Sequence, residues 1–179
     1  RTYNRKDYSM PPPRPTILDL LQGAGIPTIG IGKIGDIFTG RGLSENVHTE
    51  GNMDGLARTL EWADRTPRGL VFVNLVDFDM LYGHRNDAAG YAGALVEFDG
   101  WLPSLRARLR PGDLVLLTAD HGNDPTFPGT DHTREHVPLL AFGPGLRPAD
   151  LGVRATFADV AATLAHAFRV AAPPHGVSF

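Results

Sequence analysis

The stretch Gly69-Leu70-Val71-Phe72-Val73-Asn74-Leu75-Val76-Asp77-Phe78-Asp79 runs apolar from Leu70 to Val76, interrupted only by Asn74, and then turns acidic. An apolar run of this length, without polar alternation, fits a strand covered on both faces. The segment before it, Asn52 to Arg65, carries Met53, Leu56, Leu60 and Trp62 near helical spacing, and Ala88 to Leu109 after it also reads as helix. Asp113 to Thr118 repeats the buried-strand pattern, Val137 to Phe142 gives another, and Phe157 to Phe168 closes the series as a helix. Upstream, Thr16 caps a short helix through Leu21 that ends at Gly23 and Gly25, and Pro27 to Ile34 is a short β-type run. Doubly apolar strands separated by helices imply an α/β fold with a mostly parallel central sheet flanked by helices. Ligands in such sheets lie beyond the carboxyl ends of the strands, so the residues that follow each apolar run are the ones to inspect.

The composition narrows the function. With 179 residues, 42% hydrophobic and 21% charged, the chain has the balance of a globular domain. Its formal charge of -3 and lack of like-charge runs give no nucleic-acid or anionic-membrane surface. No apolar stretch approaches the roughly 20 residues of a membrane-spanning helix, and the expectation is a soluble, cytoplasmic protein. There is no cysteine, so any metal must be held by His, Asp or Glu. Pro11, Pro12 and Pro13 make the opening stretch, Arg1 to Pro15, an extended arm, and the first residue, Arg1, reads as a truncated or processed start. The glycines between Gly30 and Gly42 lack nucleotide-loop spacing.

Both long apolar runs end in donor-rich segments. One is Asp77-Phe78-Asp79-Met80-Leu81-Tyr82-Gly83-His84-Arg85-Asn86-Asp87. The other is Ala119-Asp120-His121-Gly122-Asn123-Asp124, continued by Gly129-Thr130-Asp131-His132-Thr133-Arg134-Glu135-His136. Any one of these acids or histidines alone is best read as solvated surface. Two such groups, each placed after a buried strand, point to a site for neighbouring divalent cations, and a mixed Asp and His set suits Mn²⁺ or Zn²⁺ better than Ca²⁺.

These segments resemble those of bacterial phosphopentomutases, as do Asn4-Arg5-Lys6-Asp7-Tyr8, Ile31-Gly32-Lys33-Ile34 and the Gly-Val-Ser-Phe ending, so the likeness covers the whole chain. The resemblance implies an alkaline-phosphatase-like core with a two-manganese site and a smaller cap domain. Residues 1–30 would be the end of the cap and a connector, and residues 31–179 the C-terminal part of the metal-binding core. On the family's pattern Asp120 and His121 hold one metal, and Asp79, His84 and His132 the other. The family completes the first site with an Asp near its N-terminus and a phosphorylated nucleophilic Thr, and neither matches a position in this chain. The implied activity interconverts ribose or deoxyribose 5-phosphate and 1-phosphate, aided by a sugar bisphosphate activator, and the upstream segment of the same protein is needed to complete the site.

Arg134, Arg5 and Lys33 are candidates for holding the sugar phosphate, because guanidinium and ammonium groups match phosphate; for Arg134 a structural ion pair is the competing role. Asp77, Asp87, Asp124 and Asp131 are read as supports for ligands, and His136 as a packing or supporting residue. His48, His166 and His175 are read as surface or helix-face residues. The alternatives are another enzyme of the superfamily, such as a cofactor-independent phosphoglycerate mutase or a metal-dependent phosphatase, and, from a different class, a metal-binding fragment without catalysis.

Overall fold

The computed structural model describes residues 9–179. Five α-helices and five strands follow in the order α1 (Ile17–Gly23), β1 (Thr28–Ile31), α2 (Ile34–Ile37), β2 (Glu45–Val47), α3 (Asn52–Arg65), β3 (Leu70–Val73), α4 (Ala88–Arg106), β4 (Val115–Thr118), β5 (Leu139–Phe142) and α5 (Ala158–Phe168). They fall into two compact units. One holds the chain up to His48 together with Thr66–Asn74 and Arg154–Phe179; the other holds Thr49–Arg65 and Leu75–Val153. No helix among the described residues is long and apolar enough to cross a membrane.

In the first unit, β1 is the central strand of a parallel sheet of order β2-β1-β3. All of β1 is buried, as expected of the central strand of a parallel sheet flanked by helices. Leu18 and Leu21 of α1 are fully buried beside Ile29 and Ile31, each such side chain contributing about 1.5–3 kcal/mol. The buried Thr28 hydroxyl is satisfied by donating to the Gly42 carbonyl at 2.6 Å. α1 begins with a capping box: the Thr16 hydroxyl accepts from Leu18 N–H, and the Asp19 carboxylate accepts from Thr16 N–H at 2.6 Å. β1 shares its unit with α1, β3 and α5.

The C-terminal tail is lashed to α5 along residues one helical face apart. Val177 N–H donates to Asp159 at 2.9 Å, Phe179 N–H to the Thr163 hydroxyl at 3.1 Å, and Ser178 Oγ lies 3.1 Å from Nδ1 of His166. Arg154 donates to the other Asp159 oxygen at 2.9 Å. His166, read as a helix-face residue, is therefore a tail contact, while His48 and His175 are exposed.

In the second unit, α3 packs on α4, and Arg108 of the chain after α4 pairs with Asp64 at 3.2 Å. β4 and β5 pair antiparallel, from Val115 with Phe142 to Thr118 with Leu139. The expectation of a mostly parallel sheet therefore holds for β1, β2 and β3 but not for this pair. Residues 119–138 between them contain no helix, and a chain that returns without a helical crossover pairs antiparallel. β2 gave no apolar signal because it is a three-residue, largely exposed edge strand. Beyond β3 the apolar run does not continue as strand: Phe78–Tyr82 forms a π-helical turn and Gly83–Arg85 a 3₁₀ turn.

The Val177 amide and the Arg154 guanidinium outweigh burial and hold the Asp159 carboxyl below its usual range. A lowered pKa stabilises the fold fully above the unfolded value, about 3.9, and that contribution is lost as pH falls through the lower folded value. Asp159→Asn is expected to lower the melting temperature by several degrees at pH 7 and to flatten its fall below about pH 4. Thermal denaturation from pH 7 to pH 3, monitored by circular dichroism, reads both effects.

Candidate metal centre

All five residues expected to ligate metal lie in the second unit, on the two segments that follow β3 and β4. Asp79 sits in the π-helical turn and His84 in the 3₁₀ turn. The i to i+5 bonding of the first turn and the i to i+3 bonding of the second place them differently from residues on a continuing strand, where sides would simply alternate. Asp120, His121 and His132 come from the loop after β4. That loop is closed on itself by an isolated antiparallel bridge, Gly122 with Thr133, in which Thr133 N–H donates to the Gly122 carbonyl at 3.0 Å. Only glycine fits at 122: a Cβ there would come 2.6 Å from the Glu135 side chain and 2.7 Å from the Thr133 carbonyl oxygen.

The two segments meet at Asp79. Its Oδ1 lies 3.2 Å from Nε2 of His132 and its Oδ2 3.3 Å from Nε2 of His84. Asn123 Nδ2 donates to Oδ1 at 2.6 Å. The imidazoles stack in sequence, His84 on His132 with ring centres 4.9 Å apart and His132 on His121 at 3.8 Å. Asp120 Oδ1 is 3.7 Å from Nε2 of His121. Ligand atoms of Asp79, His121 and His132 all lie within 4.8 Å of one another. This tightest triad draws on both of the ligand sets implied by the resemblance. Its donors are one carboxylate oxygen and two imidazole nitrogens, a combination that fits Mn²⁺ or Zn²⁺.

Neighbouring residues keep this geometry. His84 Nδ1 is hydrogen-bonded to the Thr130 carbonyl, which leaves Nε2 facing Asp79. Tyr91 lies beside the Phe78 ring, 5.3 Å between centres; burial, and after it the charge of Asp79, push its phenol up and keep it protonated. Asp124 accepts from the Thr126 hydroxyl at 2.7 Å and the Thr126 amide at 2.8 Å, which hold its carboxyl below the usual range.

Two acids have roles other than the ligand support read from the sequence. Asp77 Oδ2 accepts from Asn52 N–H at 2.6 Å and Asn52 Oδ1 accepts from Asp77 N–H at 3.0 Å, a reciprocal pair that fastens the start of α3. Asp87 caps α4 by accepting from Gly90 N–H at 2.8 Å. Among the phosphate candidates, Arg134 is exposed on the ligand loop, without an ion pair to a described residue; Lys33 follows β1 in the first unit; Arg5 lies outside the described residues. Asp131 and His136 are exposed. The sequence reading did not single out Asn123 or Asn86, although each sits inside a donor-rich run.

The profile of the Metalloenzyme superfamily matches residues 21–172. A phosphopentomutase of Anaeromyxobacter dehalogenans is 65% identical over 170 residues, covering 95% of this chain and 44% of that protein. One of Caldanaerobacter subterraneus is 53% identical over 180 residues, covering 100% of this chain and 46% of its own length. The chain thus spans less than half the length of these curated relatives. A solved structure of Leishmania mexicana phosphoglycerate mutase at low cobalt concentration matches with a TM-score of 0.68 and 22% identity, over 90% of this chain and 38% of that one. That likeness bears on the fold alone.

Gly83 packs against the Asn123 side-chain amide, and a Cβ at this position would overlap it. Gly83→Ala is therefore expected to push Asn123 off Asp79 and weaken Mn²⁺ binding by about 10- to 100-fold, as loss of a ligand's supporting partner does. Isothermal titration of the variant and the parent with Mn²⁺ measures it.

Proposed function

The chain belongs to the metalloenzyme superfamily, and on that premise we propose that it is the metal-binding part of a phosphopentomutase, interconverting ribose or deoxyribose 5-phosphate and 1-phosphate. The observation that carries this reading is the convergence of Asp79, His121 and His132, with His84 and Asp120 adjoining, from two separate strand-end segments. The identity of up to 65% with phosphopentomutases supports the choice of reaction.

In this reading Asp120 and His121 hold one Mn²⁺ and Asp79, His84 and His132 the other. When bound, the cations would polarise the phosphoryl oxygens and offset the charge that spreads over them during in-line transfer. This chain's side chains hold the donors at fixed spacing and orient the imidazoles. Arg134, exposed on the same loop, would capture the substrate phosphate in bidentate fashion; Lys33 and Arg5 are the further candidates for that role. A sugar bisphosphate would serve as activator by restoring phosphate to the enzyme.

The nucleophile is assigned to the remaining length of the protein, along with an Asp that completes the first metal site. Two threonines near the ligands in sequence already have partners: Thr133 Oγ1 accepts from Asp124 N–H at 2.9 Å, and Thr118 Oγ1 donates to the Ala119 carbonyl at 3.4 Å. Losing a covalent nucleophile costs several orders of magnitude in rate.

The assay follows ribose 1-phosphate formation from ribose 5-phosphate with Mn²⁺ and a sugar bisphosphate, for this chain and for the protein extended upstream. The extended protein is expected to turn over and this chain to show no mutase activity. Turnover of phosphoglycerate or an aryl phosphate in place of pentose phosphates would favour another enzyme of the superfamily, and comparable mutase turnover by both forms would overturn the assignment of the nucleophile.

Metal uptake gives a second prediction. In this chain the Asp79, His84 and His132 site is expected to bind Mn²⁺ more tightly than the Asp120 and His121 site, and calorimetry showing two equally tight sites would contradict it. His132→Ala is expected to abolish the tighter site.

A further inference from the structure

Asn86 and Asn123 sit on opposite ligand segments, and each reaches across to the other. Asn86 ends the 3₁₀ turn that carries His84, in a left-handed conformation with φ 53 and ψ 33, which asparagine tolerates far better than most residues. From there its side-chain Nδ2 donates toward the carbonyls of Gly129 at 2.9 Å, Phe127 at 3.1 Å and Pro125 at 3.4 Å. A carboxamide has two N–H groups, so the two shorter contacts are the principal ones and the third shares a proton. These carbonyls belong to the loop that ends in His132. In the other direction Asn123, beside His121, donates to Asp79 Oδ1 at 2.6 Å. The hydrogen bond between His84 Nδ1 and the Thr130 carbonyl runs in parallel with them.

We propose that Asn86 and Asn123 form a reciprocal clasp that assembles the Asp79, His84 and His132 site before a cation arrives. They are positioning residues: neither need touch metal or substrate. Asn86 sets the path of residues 125–130 and through it the place of His132, and Asn123 fixes the rotation of the Asp79 carboxylate. Preassembly matters because a loop that must be ordered by the metal itself gives up part of its binding free energy to that ordering.

The inference rests on the reading that Asp79, His84 and His132 hold a cation, and the experiment separates the two. Asn86→Gly accommodates the left-handed backbone while removing the side chain; Asn123→Ala removes the other arm. Both are made in the full chain. Amide hydrogen exchange without metal is expected to speed up at residues 124–132 in Asn86→Gly, with little change in α4 or in the first unit. Mn²⁺ titration is expected to show affinity lowered by about 10- to 100-fold in each variant, while the melting temperature stays near that of the parent. If the parent binds Mn²⁺ and both variants match its affinity within twofold, with unchanged exchange of the loop, the clasp is refuted and the metal reading stands. If the parent takes up no Mn²⁺, both fall.

Discussion

The Asp79 carboxylate is the point on which the centre depends. It accepts from Asn123 at 2.6 Å, and the Nε2 atoms of His132 and His84 lie 3.2 and 3.3 Å from its two oxygens. These contacts join the chain that leaves β3 to the loop that leaves β4. The Asn86 amide and the hydrogen bond between His84 Nδ1 and the Thr130 carbonyl join the same two segments beside them. The surrounding devices serve the same junction: the Gly122–Thr133 bridge closes one segment, and the Asp77–Asn52 pair anchors the other to the start of α3.

Much of the fold was legible because burial leaves a strong mark on composition. β1, β3, β4 and β5, and helices α1, α3, α4 and α5, lie within the runs that apolar spacing and cap residues delimit. What escaped was structure too short to show a periodic pattern. β2 is short and exposed, and α2 is a single turn. The direction of β5 escaped as well, since an apolar run reads the same whichever way its neighbour lies. The turns over residues 78–85 were hidden for another reason: the apolar run up to Val76 looks like continuing strand, whereas the chain turns into a π-helical segment at Phe78.

The site shows the same division. The donors that meet around Asp79 were readable because acids and histidines crowd the ends of buried strands, where α/β sheets present their ligands. Which acids support and which merely cap was not readable. Asp77 and Asp87 have the same chemistry as Asp79, and only the folded chain shows one fastening α3 and the other capping α4. The two asparagines were invisible for a related reason: an amide carries no charge signature, and its value here lies in reach. A chain spanning less than half the length of its curated relatives can nevertheless bring these five donors together, because all of them come from 54 consecutive residues, Asp79 to His132.

The central claim, that these side chains form a cation site, is tested most directly by anomalous diffraction from crystals of this chain grown with Mn²⁺. A strong anomalous peak is expected among Asp79 Oδ, His84 Nε2 and His132 Nε2, and a weaker one beside Asp120 and His121. Manganese bound elsewhere, or absent from the cluster at saturating concentration, would contradict it.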